Sequence, residues 1–300
     1  MASFGDQKGR GNVFLSQAEK ELQKFTFFSS SSKYENAAEL LQKAGNCFKV
    51  SSSWQEAGDA YMKASELFTT KLSSSHEASA AMMDAGNCYK KVNPPQAINA
   101  FRGAIGLWTE AGRFNQAAKM LKEIAEMYEA DKNAVEAIDN YTQASQFFET
   151  ENQKSQANQC SAKIAELCSA ALDPPDFRLA AELYEKLGRG CLDSALLKYN
   201  AKGYFVCAIF CLLAMGDSVA GRMKIDAFGA VDFSFLDSRE GKLCDQLVEA
   251  VDNSDGDAMA TACFEFDRVS KLDAWKTTIL VSIKRGIVDN NGDDDDVDLS

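Results

Sequence analysis

The chain has 300 residues, of which 46% are hydrophobic, and a formal net charge of −12. This composition is sufficient for a large buried core, and the acidity excludes sequence-independent nucleic-acid binding, which needs a net basic surface. The N-terminus lacks a hydrophobic signal core, and the longest apolar run, at 204–215, is shorter than the roughly 20 residues of a membrane helix. We therefore expect a soluble protein with no nucleic-acid partner.

The first predicted element is a helix with an apolar stripe at positions i, i+4, i+8 and i+11, formed by Phe14, Ala18, Leu22 and Phe25. This register predicts that Phe25 ends the helix and packs inward. Ser32 and Glu35 form a capping-box pattern, which predicts that the next helix begins there. Phe27 and Phe28 are left on a serine-rich loop, and one interpretation is a hydrophobic staple onto the following helix.

An internal repeat of about 20 residues follows. The sequence "AGNCFK" at 44–49 returns as "AGNCYK" at 85–90. Small residues anchor each copy and recur at Ala37, Ala57, Ala78, Ala97, Ala117 and Ala137. Large residues lie eleven positions after each anchor, at Phe48, Phe68, Tyr89, Trp108, Tyr128 and Phe148. Because i, i+4, i+7 and i+11 share one helix face, each copy predicts one helix, and two copies predict a hairpin.

These hairpins predict an all-α fold, a right-handed solenoid of tetratricopeptide (TPR) type capped by a C-terminal helical bundle. Capping patterns at Ser53–Glu56 and Ser74–Glu77 mark helix starts, and Gly112 is a predicted left-handed cap. The bundle helices are predicted at 196–215, 237–251, 257–270 and 272–287. The predicted divisions are an N-terminal helix and loop (1–31), the solenoid (32–190), the bundle (191–288) and a disordered acidic tail (289–300).

The sequence contains no motif typical of a metal site or a catalytic site. The chain has nine cysteines but no CxxC, and its single histidine is His76, so we expect no metal site. Cys160 and Cys168, like Cys207 and Cys211, have helical spacing in apolar runs, which favours buried reduced thiols and a reducing compartment. No P-loop, GxSxG or HExxH motif occurs, so we expect no catalytic residues and no cofactor. A helical solenoid without such chemistry favours an adaptor.

Several motifs resemble the soluble NSF attachment protein (SNAP) family, alpha/beta type. They are "GRFNQAAK" (112–119), "LLKYNAKGYF" (196–205), "DSREGKL" (237–243), "LDAWKTTIL" (272–280) and the ending Asp298-Leu299-Ser300. The resemblance runs from about residue 14 to the C-terminus. It implies a cytoplasmic adaptor, peripherally associated with membranes, that binds the four-helix SNARE bundle in several copies. It also implies recruitment and stimulation of the hexameric ATPase NSF, which disassembles SNARE complexes and so recycles them in vesicle traffic.

The resemblance also assigns residues to three kinds of contact. The implied SNARE-binding residues are Lys90, Lys91, Arg113, Lys119, Lys163, Leu196, Lys198, Tyr199, Lys202 and Arg239. The implied NSF-binding residues are Asp293, Asp294, Asp295, Asp296, Asp298 and Leu299, and the last is implied to stimulate ATP hydrolysis. Phe27 and Phe28 match the family's hydrophobic loop, which implies membrane contact. Gln159 replaces a family lysine, so we expect weaker SNARE contact from this repeat.

Three alternatives remain. The first is a generic TPR-like scaffold that binds short peptides, and the second is a gamma-type attachment protein with a different SNARE preference. The third is a metabolic enzyme with a helical lid, which the absence of catalytic motifs disfavours. We expect the free protein to be a monomer.

Overall fold

The computed structural model describes residues 6–25 and 30–292, with side chains except at residue 30 and at 288–292. Across these ranges the regular elements are helices and no strand occurs, so the predicted all-α fold is confirmed. The α-helices are α1 (Gln7–Gln23), α2 (Ser30–Val50), α3 (Trp54–Thr70), α4 (Ser75–Tyr89), α5 (Pro94–Glu110), α6 (Phe114–Ala130), α7 (Ala134–Thr150), α8 (Lys154–Ala170), α9 (Phe177–Leu192), α10 (Ala201–Ala214), α11 (Ser218–Val231), α12 (Arg239–Asp252), α13 (Gly256–Asp267) and α14 (Ala274–Gly292). A short 3-10 helix spans Lys198–Asn200.

The chain divides into two compact units. The N-terminal unit comprises Met1–Met127 and Gln146–Gln153, and the C-terminal unit comprises Tyr128–Ser145 and Lys154–Ser300. In the N-terminal unit each helix from α1 to α4 packs against the next one in sequence, and short turns reverse the chain after α2, α3, α4 and α5. This succession of antiparallel hairpins is the solenoid-like arrangement that the repeat predicted.

The repeat register matches the buried face of the helices. The six anchor alanines are fully buried, as are Ala44, Ala64, Ala85, Ala104, Ile124 and Ala144 seven positions later. Of the large residues at i+11, Phe48, Phe68, Tyr89 and Phe148 are buried, whereas Trp108 and Tyr128 are half-buried. Small residues at i and i+7 therefore let neighbouring helices approach, as the sequence indicated.

A contact between a glycine and an aromatic ring recurs between helices of the N-terminal unit. A Cβ atom on Gly86 of α4 would lie 2.3 Å from a ring carbon of Phe101 in α5. Gly45 of α2 faces the ring of Tyr61 in the same way, and Gly58 of α3 faces the ring of Tyr89. The glycine of the repeated "AGNC" motif is therefore required by the close approach of the next helix.

The residue after the glycine accepts a hydrogen bond from the hydroxyl group of the facing tyrosine. Tyr61 Oη donates a hydrogen bond of 2.7 Å to Asn46 Oδ1, and Tyr89 Oη donates one of 2.7 Å to Asp59 Oδ1. Burial raises the pKa of both phenols well above its usual value, and the Asp59 carboxylate adds to this for Tyr89. Both tyrosines therefore remain protonated donors.

The predicted helix starts are partly correct. Ser53 and Ser74 are the N-cap residues of α3 and α4, although neither side chain caps a backbone amide. Gly112 has φ +68°, which confirms the left-handed cap. The predicted start at Ser32 is wrong, because α2 begins at Ser30, where Ser31 Oγ donates a hydrogen bond of 2.8 Å to Glu35.

The core of the C-terminal unit surrounds α10, which is buried along most of its length. Phe205 of α10 stacks on Phe228 of α11 with ring centroids 4.0 Å apart, and Phe235 packs edge-on against both rings and is fully buried. The stack Tyr184–Trp275, at 5.8 Å, joins α9 to α14. These aromatic contacts tie helices α9, α10, α11 and α14 to one another.

Three points of the prediction for this unit need correction. The helix predicted at 196–215 begins only at Ala201, because residues 194–200 form turns closed by bonds to the carbonyl of Ser194 and then a 3-10 helix. The sequence also left 218–231 unassigned, and the structure shows it as α11. α14 continues to Gly292, so an acidic tail can begin only after that residue.

Candidate binding surfaces

Two of the predicted basic residues lie at the turn between α4 and α5. Lys90 caps α4, and Lys91 follows it; both are exposed. Lys90 Nζ forms an ion pair of 2.7 Å with Glu123 of α6. Glu123 therefore partly neutralises the Lys90 charge, and Lys91 is the more available of the two to a binding partner.

Arg113 lies at the opposite end of α5, and Lys119 lies along α6. Arg113 immediately precedes α6, and Lys119 is exposed on that helix. α5 has 17 residues, a length of about 25 Å at the usual rise, and it separates Arg113 from Lys91. The structure therefore places Lys91 and Arg113 at opposite ends of α5, whereas Lys119 lies one helical turn before Glu123, the carboxylate that pairs with Lys90.

Lys163 lies on α8 and is held by two carboxylates. Its Nζ is 2.8 Å from Glu129 and 3.5 Å from Glu166. Burial acts to lower the pKa of Lys163, but the hydrogen bond to Glu129 and the charge of Glu166 raise it above its usual value. Lys163 is therefore a charged, half-buried residue. Gln159, one turn earlier on α8, has an exposed side chain.

The segment before α10 presents two apolar side chains to solvent. Leu196 is 85% exposed and Tyr199 is 75% exposed. Lys198 Nζ lies 5.3 Å from the centroid of the Tyr199 ring, a cation–π contact. The sequence predicted these three residues as a binding group, and the structure brings them together on one short segment.

Lys202 connects this segment to the loop between α11 and α12. Its Nζ donates a hydrogen bond of 3.0 Å to the carbonyl of Ser234. Arg239 begins α12 at the end of the same loop and is exposed, and the preceding Ser238 caps the helix by accepting from Gly241 N at 3.1 Å. Lys202 and Arg239 therefore both lie at the 232–238 loop.

Sequence reasoning missed Phe233 in that loop, which is 86% exposed. Asp232 Oδ1 accepts hydrogen bonds from the backbone and hydroxyl of Ser234, and Phe235 anchors the loop in the aromatic core. In the sequence "DFSF" the two rings are two positions apart, a spacing that would place both on the same side of an extended chain. The turn at Asp232 and Ser234 separates them instead, so the sequence carried no signal for the exposed ring.

The structure corrects the prediction for Phe25. α1 ends at Gln23, and Lys24 has extended backbone angles of φ −62° and ψ 133°, so Phe25 no longer follows the helical stripe. Phe25 is 87% exposed and does not pack inward. Phe27 and Phe28 lie outside the described residues, and so do the predicted tail residues Asp293–Asp296, Asp298 and Leu299.

The described residues contain no group of three or more His, Cys, Asp or Glu side chains that could hold a metal ion. All nine cysteines are free thiols, and all but Cys263 are buried. Burial raises the pKa of the Cys207 thiol to about 12 and that of Cys168 to about 11, so these groups are poor nucleophiles. Within 6–25 and 30–292, no helix combines the length and apolar character needed to cross a membrane.

Comparison with known proteins gives concordant matches. The family model described as "Soluble NSF attachment protein, SNAP" matches residues 9–288. An "Alpha-soluble NSF attachment protein" of Vitis vinifera is 40% identical over 98% of this chain and 100% of its own length. The Mus musculus protein of the same name is 37% identical, covering 95% of this chain and 96% of its own. A "Probable vesicular-fusion protein sec17 homolog" of Neurospora crassa is 34% identical, covering 91% and 94%.

Proposed function

The chain belongs to the soluble NSF attachment protein family, and we propose that it is a non-enzymatic adaptor between assembled SNARE complexes and the ATPase NSF. In this role it binds the SNARE bundle in several copies, recruits NSF and stimulates ATP hydrolysis, so that SNAREs are recycled in vesicle fusion. It acts in the cytoplasm, peripherally associated with membranes.

The observation that carries the SNARE-binding proposal is the exposed pair Leu196 and Tyr199, with the Lys198 ammonium group over the Tyr199 ring. Two large apolar residues at 85% and 75% exposure are ready to lose solvent contact to a partner, and each buried side chain contributes about 1.5–3 kcal/mol. Lys198 and Lys202 place positive charge beside them, which favours an acidic helical surface. Arg239 extends this basic surface along the loop.

The remaining predicted SNARE contacts have smaller expected contributions. Lys90 and Lys163 already pair with carboxylates of the chain, so binding would exchange one partner for another. Lys91, Arg113 and Lys119 are exposed, and such rim charges contribute roughly 0.2–1 kcal/mol each. Together they would steer a partner more than they would hold it.

The NSF contact is proposed for the C-terminal tail. The segment 293–298 contains five aspartates and no basic residue, which suits a basic surface on NSF. Leu299 follows them and is proposed to stimulate ATP hydrolysis. The membrane contact is proposed for Phe27 and Phe28, and the exposed Phe25 extends that apolar segment toward α1.

A reconstituted disassembly assay tests the adaptor function. A preassembled SNARE complex is incubated with NSF and ATP, and disassembly is followed with and without this protein. Omitting the protein should abolish disassembly. If NSF disassembled the complex equally well without it, the proposed function would be wrong.

Two variants separate the SNARE contact from general exposure of apolar residues. Leu196→Ser with Tyr199→Ser should reduce SNARE binding by at least tenfold, because it removes two apolar contacts. Val219→Ser with Met223→Ser is the matched control, since these α11 residues are 70% and 67% exposed. Equal binding by both double variants would refute the assigned surface.

Leu299→Ala tests the NSF contact separately. The variant should bind SNARE complexes like the wild-type protein but stimulate less ATP hydrolysis. Unchanged stimulation would remove Leu299 from the proposal and leave the SNARE surface unaffected.

A further inference from the structure

Three lysines lie at the end of the N-terminal unit where the exposed Phe25 is found. Lys24 follows α1, Lys33 is in the first turn of α2, and Lys71 caps α3. α1 and α3 end where α2 begins, because consecutive helices run antiparallel. The three residues therefore belong to the same end of the unit as Phe25.

Direct contacts connect these lysines to each other. Lys33 Nζ donates a hydrogen bond of 3.0 Å to the carbonyl oxygen of Lys24, which links the first turn of α2 to the residue that follows α1. Lys33 Nζ lies 5.4 Å from the centroid of the Tyr34 ring, and Lys71 Nζ lies 5.9 Å from the same centroid. Two ammonium groups therefore share one aromatic ring.

One acidic group lowers the charge of this cluster. Glu21 pairs with Lys24, and its pKa is lowered by the hydrogen bond from Lys24 and by the charge of Lys33. The Glu21 carboxylate thus offsets Lys24, whereas no carboxylate pairs with Lys33 or Lys71 among the described residues. The positive charge available to a ligand is that of Lys33 and Lys71.

We propose that Lys33, Tyr34 and Lys71 form a binding site for anionic lipid headgroups, which makes the membrane contact of the adjoining phenylalanine loop selective for acidic bilayers. This deepens the membrane contact proposed above and rests on it. An apolar side chain at 87% exposure beside two lysines and a tyrosine is the combination found at membrane interfaces: the ring enters the bilayer, and the ammonium groups contact phosphates. The bond from Lys33 Nζ to the Lys24 carbonyl holds the Lys33 ammonium group in place before binding, which reduces the entropy lost on contact.

The net charge of the chain makes binding to acidic vesicles an informative observation. A chain with a net charge of −12 should be repelled by an acidic bilayer unless a local basic site overcomes that repulsion. A preference for acidic vesicles is therefore the signature of this site. Each lysine near an acidic surface changes binding by about fivefold, so the pair accounts for roughly 25-fold.

The test is vesicle flotation of the full chain, with phosphatidylcholine vesicles compared with vesicles in which a third of the lipid is phosphatidylserine. The wild-type protein should bind the acidic vesicles more tightly, and added salt should reduce the difference. Lys33→Ala with Lys71→Ala should lose roughly 25-fold on acidic vesicles and little on neutral ones. Lys33→Arg with Lys71→Arg should retain the preference, which excludes a purely structural effect.

The matched control is Lys49→Ala with Lys63→Ala, which removes the same charge elsewhere in the N-terminal unit. Lys49 is in the last turn of α2, about 30 Å along the helix from its start, and Lys63 is midway along α3. A loss as large in the control as in the test variant would overturn the proposal. Equal wild-type binding to both vesicles would overturn the lipid selectivity alone, whereas binding to neither would refute the membrane contact as well.

Discussion

Gly86→Ala tests the glycine–aromatic contact that joins α4 to α5. The new Cβ would lie 2.3 Å from Cε1 and 2.5 Å from Cδ1 of Phe101, distances that side-chain carbons do not adopt. Phe101 is fully buried, so its ring cannot move away without disturbing its own neighbours. We expect the variant to fold with the two helices pushed apart.

The expected loss of stability is the difference between two effects. Overpacking of a buried contact costs about 1–3 kcal/mol, whereas alanine stabilises a helix interior by about 0.5–1 kcal/mol relative to glycine. The net loss for Gly86→Ala therefore lies between about 0 and 2.5 kcal/mol, with a central value of about 1 kcal/mol. Gly106→Ala is the control, because Gly106 is in α5 with no atom within 4 Å of its would-be Cβ. It should show only the helix gain.

Urea unfolding followed by far-UV circular dichroism measures both variants against the wild-type protein. The transition midpoint should fall for Gly86→Ala and rise for Gly106→Ala. If the two variants had the same midpoint, the close approach of α4 and α5 would not explain the repeated glycine.

Three further predictions follow from other sites. The Glu185 carboxylate accepts hydrogen bonds from Lys224 at 2.6 Å and from Arg189 at 2.9 Å. Burial acts to raise the pKa of Glu185, but the two basic side chains hold that pKa below the usual 4.5. The stabilisation of the fold by Glu185 is therefore present above pH 4.5 and is lost as the pH falls through the lower pKa of the folded state. Glu185→Gln should therefore cost about 1 kcal/mol at pH 7 and less at pH 3 in urea unfolding, and an equal loss at both would contradict this. Cys263, the one partly exposed thiol, should react first with a disulfide reagent despite a pKa raised by burial to about 11, and Cys263→Ser should remove the fastest phase. Gln159→Lys should strengthen SNARE binding at low salt, and unchanged affinity would show that this position is outside the contact.

The sequence predicted the buried face of the repeat because that face depends on periodicity alone. A small residue at Ala37 or Ala97 and a large one at Phe48 imply a helix whose stripe packs on the next helix, and these residues are buried. The reason for Gly86 within the repeat could not be inferred, since it depends on a ring from the following helix.

The sequence-based predictions were wrong near the ends of helices. Periodicity gives the face of Phe25 only if α1 continues, and the backbone leaves the helix at Lys24. In the same way, the apolar run at 196–215 concealed the 3-10 helix that exposes Tyr199. Residues such as Phe233 are presented by loop hydrogen bonds and a buried anchor, which are tertiary features with no period in the sequence.

The length of α5 also bears on which partners the N-terminal unit can recognise. Lys91 and Arg113 flank a helix about 25 Å long, and a four-helix bundle is roughly two helix diameters, or 20–24 Å, across. A bundle that lies across α5 would contact the basic groups at both ends with its own width, whereas a single helix of roughly 10–12 Å would reach both only by lying along α5. The SNARE contact proposed above would therefore use both ends of α5 only in one of these two orientations.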